Sequence, residues 1–159
     1  MKKILILAAL CLASFAANAQ DYNWAIGIRG GGNDSGLTVK HILSDYNAIE
    51  LTGNFQYAQG NMARGFALSA LYEWNVPVIA DGFLFYYGFG PHIGSATMTK
   101  EEHDNYGMII LGATGVVGLE YKLYSIPLAF SLDYRPFVNA LPQPRLFFSN
   151  VGLGIKLCF

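Results

Sequence analysis

From Ser149 to Phe159 the chain alternates: Val151, Leu153, Ile155, Leu157 and Phe159 fall on one side of an extended strand, and Asn150, Gly152, Gly154, Lys156 and Cys158 on the other. Successive strand residues point to opposite faces, so this ending predicts a strand with one apolar and one small or polar face. The same period recurs upstream. One face collects Trp24, Ile26, Ile28; Ile49, Leu51, Phe55, Tyr57; Phe66, Leu68, Tyr72, Trp74; Phe83, Phe85, Tyr87, Phe89; Ile109, Leu111, Val117, Leu119, Tyr121; and Leu128, Phe130, Leu132, Tyr134. Between these runs lie turn signals: Asn33–Gly36, Ser44–Asn47, Gln59–Met62, Asn75–Gly82, Thr99–Asn105, Tyr124–Pro127 and Leu141–Pro144. Clusters of Asn, Asp, Gly, Ser and Pro break strands, so seven connections predict eight strands, at 22–32, 36–43, 48–58, 63–75, 82–98, 106–123, 127–140 and 146–159. In the second, parity turns Leu37, Val39, His41 and Leu43 outward and Ile42 inward, and a bulge is expected to reverse its end.

The opposite face carries the charge. Arg29, Lys40, Arg135 and Lys156 meet Glu50, Glu73, Glu120 and Asp133, together with Asn54, Gln56, Ser69, Thr114 and Ser131 and with Gly27, Gly88, Gly90, Gly112, Gly118, Gly152 and Gly154. Four bases against four acids suit a closed interior of ion pairs, because an unpaired buried charge is expensive. Leu71 and Leu84 are apolar exceptions on this face, and Lys122, of the same parity, is expected in water at the periplasmic rim.

Which face is inside decides the class. A soluble lipocalin-like carrier would turn the same alternation apolar inward. Aromatic residues gathered near one set of strand ends (Trp24, Tyr72, Trp74, Phe83, Tyr121 and Phe159) read as a membrane girdle, and glycine on the polar face suits a narrow lumen. The expected fold is therefore all-β, an eight-stranded antiparallel up-and-down transmembrane β-barrel.

Composition supports export and excludes a helical membrane protein. Lys2 and Lys3, the apolar run Ile4–Phe15 and Ala17-Asn18-Ala19 read as a secretory signal over residues 1–19. The run is too short to span a bilayer, which takes roughly 20 helical residues, and Leu10 is a poor residue ahead of a lipidated Cys11. The barrel domain is 20–159. The chain is 53% hydrophobic, yet no long apolar run follows residue 20, so the apolar residues are dispersed over strands. Without Lys2 and Lys3, eight of the ten bases remain against eleven acids, a weak charge that implies no nucleic-acid partner. Cys158 alone remains of the two cysteines, so no internal disulfide is expected.

With the first strand leaving the periplasm, the connection at Thr99–Asn105 lies outside the cell. It carries Lys100, Glu101, Glu102, His103 and Asp104, the most charged segment of the chain. The hairpin beneath it, Pro91–Met98 and Tyr106–Met108, is expected to rise above the bilayer and offer an edge to a surface ligand.

Candidate chemistry is sparse. A lipid A deacylase activates a Ser through His, but His41 with Ser44 and His92 with Ser95 are spaced so that the side chains lie on opposite faces of a strand. His92 is the alternative base, on the lumen face, with Asp133 or Arg135 in reach only if the register allows. No metal site is expected at His103, whose acidic neighbours sit on a loop too flexible to fix a geometry, and no cofactor is implied. Eight strands enclose a space just wide enough for side chains, whereas a general porin needs about 16–18.

Over residues 20–159 the chain resembles the small eight-stranded outer-membrane barrels of the OmpA and OmpX type: signal peptide, eight alternating segments, girdle aromatics and a terminal Phe. The resemblance implies a bacterial outer-membrane location, contact with outer-membrane lipid, and recognition of the C-terminal strand by the barrel insertion machinery. Such families imply roles in envelope integrity, adhesion or defence; with the sparse candidate chemistry above, the leading expectation is a monomeric, non-enzymatic barrel with an envelope-structural or surface-interaction role. The alternatives are a lipid A-modifying outer-membrane enzyme and the soluble carrier.

Overall fold

The computed structural model describes residues 22–32, 34–56, 62–78, 82–99, 105–123, 125–141, 144–148 and 150–159. The export signal expected at 1–19 and the loop residues Lys100, Glu101, Glu102, His103 and Asp104 lie outside them.

Ten strand segments form the wall: β1 Trp24–Gly31, β2 Asp34–Ser44, β3 Asn47–Gln56, β4 Met62–Pro77, β5 Phe83–Thr99, β6 Asn105–Lys122, β7 Leu128–Tyr134, β8 Phe137–Leu141, β9 Arg145–Phe147 and β10 Val151–Cys158. β7 with β8, and β9 with β10, are each one stave of the barrel, so the staves number eight. All pairings are antiparallel, and β10 closes on β1 with Ile28 opposite Ile155. Closure leaves no long edge for another chain to extend.

Two of the expected strands are interrupted. The seventh breaks at Arg135-Pro136, because proline has no N–H to give the ladder. The register nonetheless runs on, with Val117 opposite Tyr134 and Thr114 opposite Phe137. The eighth breaks above Val151, where the Arg135 N–H donates to the Asn150 carbonyl at 2.8 Å. β9 then pairs only with β8. In β2 the register shifts between Ile42 and Ser44, a bulge that leaves His41 outward, stacked on Trp24 with ring centroids 4.1 Å apart. β2 also begins two residues earlier than the turn signal suggested, at Asp34.

The two faces have opposite chemistry. Outward side chains are apolar and bare: Ile28, Leu51, Phe55, Phe89, Ile109 and Leu153 are all more than half exposed. Inward side chains are buried and mostly polar or charged. A water-soluble protein reverses this arrangement. Inward glycines make room: a Cβ on Gly118 would come within 2.6 Å of the Tyr86 ring and 2.8 Å of the Asp133 Cβ.

Candidate functional site

The strand pleat sends alternate residues of β1, β2, β3, β4, β6, β7 and β10 into the lumen, and the register brings charges from distant parts of the chain to one level. Arg29, Lys40, Glu50, Glu73, Glu120, Asp133, Arg135 and Lys156 are each at most 3% exposed. They form one connected network of alternating sign. Lys156 Nζ lies 2.8 Å from both Glu50 and Glu120. Arg135 bridges Glu50 at 2.6 Å and Asp133 at 2.9 Å. Arg29 reaches Asp133 at 2.7 Å and Asp34 at 2.5 Å. Lys40 pairs with Glu73 at 3.0 Å and lies 3.8 Å from Glu120. Each charge thus has an opposite partner within the low-dielectric interior, the condition under which burial is tolerated. Tyr86 crosses the same interior: its hydroxyl donates to Asp133 at 3.1 Å, and Lys40 Nζ stands 4.8 Å from its ring centroid.

Tyr86 and three further residues lay beyond the sequence reading of the lumen. Asp34, in what reads as a turn, is 4% exposed and completes the pairing of Arg29. Tyr22 closes the lumen at the end where β1 begins, its hydroxyl donating to Glu120 at 2.7 Å. Lys122 is corrected: instead of standing in rim water it is buried at 9% exposure, with Nζ 4.7 Å from the Tyr22 ring centroid. The cation gains both the aromatic face and a dry cover for its aliphatic stem.

Towards the opposite end the lumen changes character. His92 Nδ1 lies 3.0 Å from Ser69 Oγ, across the β4–β5 pairing. Among the described residues no carboxylate hydrogen-bonds to this His–Ser pair, although Asp34 lines a small cavity with them. The His92 ring instead stacks on Phe137 at 5.4 Å, and neither Asp133 nor Arg135 bonds to it. Thr52 Oγ1, Asn54 Oδ1, His92 Nε2, and Arg135 Nε and Nη1 have no protein partner. They surround a cavity of about 10 Å³, room for about one water molecule, which such a polar lining can hold. Among the described residues no cluster of His, Cys, Asp or Glu is arranged to hold a metal ion.

Of the girdle residues, Trp24 and Phe83 are exposed on the outer face, and Trp74, Tyr121 and Phe159 are half-buried there. Trp74 packs against Tyr72 and Tyr87 at 5.0 and 5.6 Å, and Phe83 against Tyr121 at 4.5 Å.

No family model matches the sequence, and no curated protein is similar to it in sequence. Solved structures are similar in fold. The N-terminal β-barrel domain of Pseudomonas aeruginosa OprF superposes with a TM-score of 0.72 at 16% identity, over 88% of this chain and all of that one. Neisserial surface protein A, NspA, superposes with a TM-score of 0.57 at 11% identity, over 86% of this chain and 93% of that one. The chain has the closed eight-stranded fold of the small outer-membrane barrels.

Proposed function

We propose that the protein is a monomeric, non-enzymatic component of the bacterial outer membrane, with a structural or surface-interaction role carried by its outer loops. The observation that carries this reading is the inversion of the barrel: large apolar side chains cover the outside while a connected ion-pair network fills the inside. Such a surface is stable against hydrocarbon, where a closed ladder presents no long run of unpaired backbone to lipid. The side chains that occupy the lumen leave little room for solute passage. The His92–Ser69 pair, lacking a third group to orient it, falls short of an activated nucleophile. In this reading strand β10 is recognised by the insertion machinery, and a ligand would be met by the charged segment Lys100–Asp104, which lies outside the described residues.

The test is fractionation of cells expressing the chain, followed by planar-bilayer recording on the purified barrel. The reading expects the protein in the outer-membrane fraction and a bilayer without stable porin-sized current steps. Recovery in the soluble periplasmic fraction would refute the membrane assignment. Large steady conductance would refute the filled lumen.

A further inference from the structure

The chain has four methionines, Met1, Met62, Met98 and Met108, and the register gathers the last three at the ends of β4, β5 and β6 away from Tyr22. Met62 is opposite Met98 in the β4–β5 pairing. In the β5–β6 pairing Met98 is opposite Tyr106 and Met108 is opposite Ala96, so Met98 and Met108 are diagonal neighbours. Directly opposite residues have Cβ atoms about 4.5–5.5 Å apart and diagonal ones are about 7–8 Å apart, within reach of long side chains, and both kinds of pair share a face. Met62 joins that face through an irregularity. Gly65 is opposite Ala96, and an unbroken register from there would set Met62 against Thr99, on the other face. The register instead shifts between Met62 and Gly65, a bulge of the kind that re-aims a residue, and Met62 comes into line with Met98. From Phe83 to Thr99 β5 runs against β6 without a shift, so alternation carries the face of buried His92 on to Met98.

We propose that this juxtaposition of Met62, Met98 and Met108 is a binding site for one soft monovalent cation of the copper(I) and silver(I) class. Thioether sulfur is neutral and polarisable, and soft sulfur ligands select copper(I) over the hard cations that take oxygen. Zinc takes thiolate, imidazole or carboxylate. The neighbouring register positions hold Ala96, Thr97, Tyr106 and Gly107, which supply none of these. Three strands held in one ladder place ligands more precisely than a loop does. An apolar filler asks only for bulk, which leucine supplies at nearly the same volume, whereas the site asks for sulfur.

The test is equilibrium dialysis of silver(I), a probe that needs no reductant, against the full mature barrel in detergent and chloride-free buffer. Cys158→Ala is the background, because the free thiol of Cys158 is itself a soft ligand. The site predicts one silver ion per barrel that excess zinc does not displace. Met98→Leu, and independently Met62→Leu and Met108→Leu, are expected to weaken it by at least about tenfold, the loss that even an outer-shell partner of a metal ligand causes. No bound silver, undiminished affinity in the three leucine variants, or displacement by zinc would overturn the site. Heat-modifiable mobility in SDS gels, read on every variant, establishes that the barrel compared is a folded one. A second measurement uses the unsubstituted barrel: bound silver is expected to slow the conversion of Met62, Met98 and Met108 to sulfoxide by hydrogen peroxide, read in peptide maps. Oxidation that proceeds equally with and without silver would overturn the site without recourse to any variant. Both readouts need only a folded barrel, so their failure leaves the membrane reading untouched.

Discussion

Glu50 is the junction of the lumen. It is fully buried, and its two oxygens face Arg135 at 2.6 Å and Lys156 at 2.8 Å. Replacing it with Leu takes one partner from each of two bases, Arg135 and Lys156, in an interior that cannot hydrate them, and removal of one partner from a buried pair costs about 3–5 kcal/mol. Arg135 keeps Asp133 and Lys156 keeps Glu120, so the loss belongs at the lower end, about 3 kcal/mol. Removing Lys156 as well takes away one of the two bases that lost a partner. The double variant Glu50→Leu/Lys156→Leu is therefore expected to be less destabilised than the sum of the single variants, by about 1–3 kcal/mol of coupling. Urea titration of the barrel in vesicles, followed by the emission of Trp24 and Trp74, measures all four corners of the cycle. Additivity to within about 0.5 kcal/mol, or a single variant as stable as the wild type, would refute the account of the lumen as a connected ion-pair network.

Other consequences follow from the same geometry. Glu120→Leu or Asp133→Leu lowers the unfolding temperature, since each strands buried bases; unchanged melting in both would count against the network. Arg in place of Leu111 or Leu153 destabilises the barrel by about 2–4 kcal/mol if that position is near the bilayer midplane, and full tolerance in micelle-to-bilayer folding would mean that the faces are reversed. Tyr22→Phe removes the donor to Glu120 and costs about 1–3 kcal/mol in the urea titration, whereas an unaltered midpoint would show that closure of the lumen by Tyr22 contributes nothing. Gly118→Val drives a branched side chain into Tyr86 and Asp133, and is expected to lower the yield of heat-modifiable barrel.

The fold was legible because the period of two reports inside and outside directly: a residue such as Lys156, between Ile155 and Leu157, has a single face available to it. What alternation does not carry is register. Ser69 and His92 are 23 residues apart, and only the β4–β5 pairing makes them neighbours, so a search for histidine and serine at short spacing passes over them. Asp34 escaped because Asn33-Asp-Ser-Gly36 has the composition of a turn, while the β1–β2 connection tightens and draws Asp34 into a strand facing Arg29. The interruption at Arg135-Pro136 was visible as a proline. That the eighth stave would break opposite it, between β9 and β10, goes with the Arg135–Asn150 bond, which joins residues of two different staves. Lys122 has the parity of the lumen and the position of a rim residue, and Tyr22 decides between them by covering it.

The central claim is that the apolar face is outside because hydrocarbon is there. Residues 20–159 unfolded in urea can be diluted in parallel into phospholipid vesicles and into buffer without lipid or detergent, with β-sheet circular dichroism and unboiled SDS mobility read in both. The account predicts a β-sheet barrel with heat-modifiable mobility in vesicles and aggregation in plain buffer. A soluble, monomeric β-sheet protein in plain buffer, with no heat shift from vesicles, would contradict it.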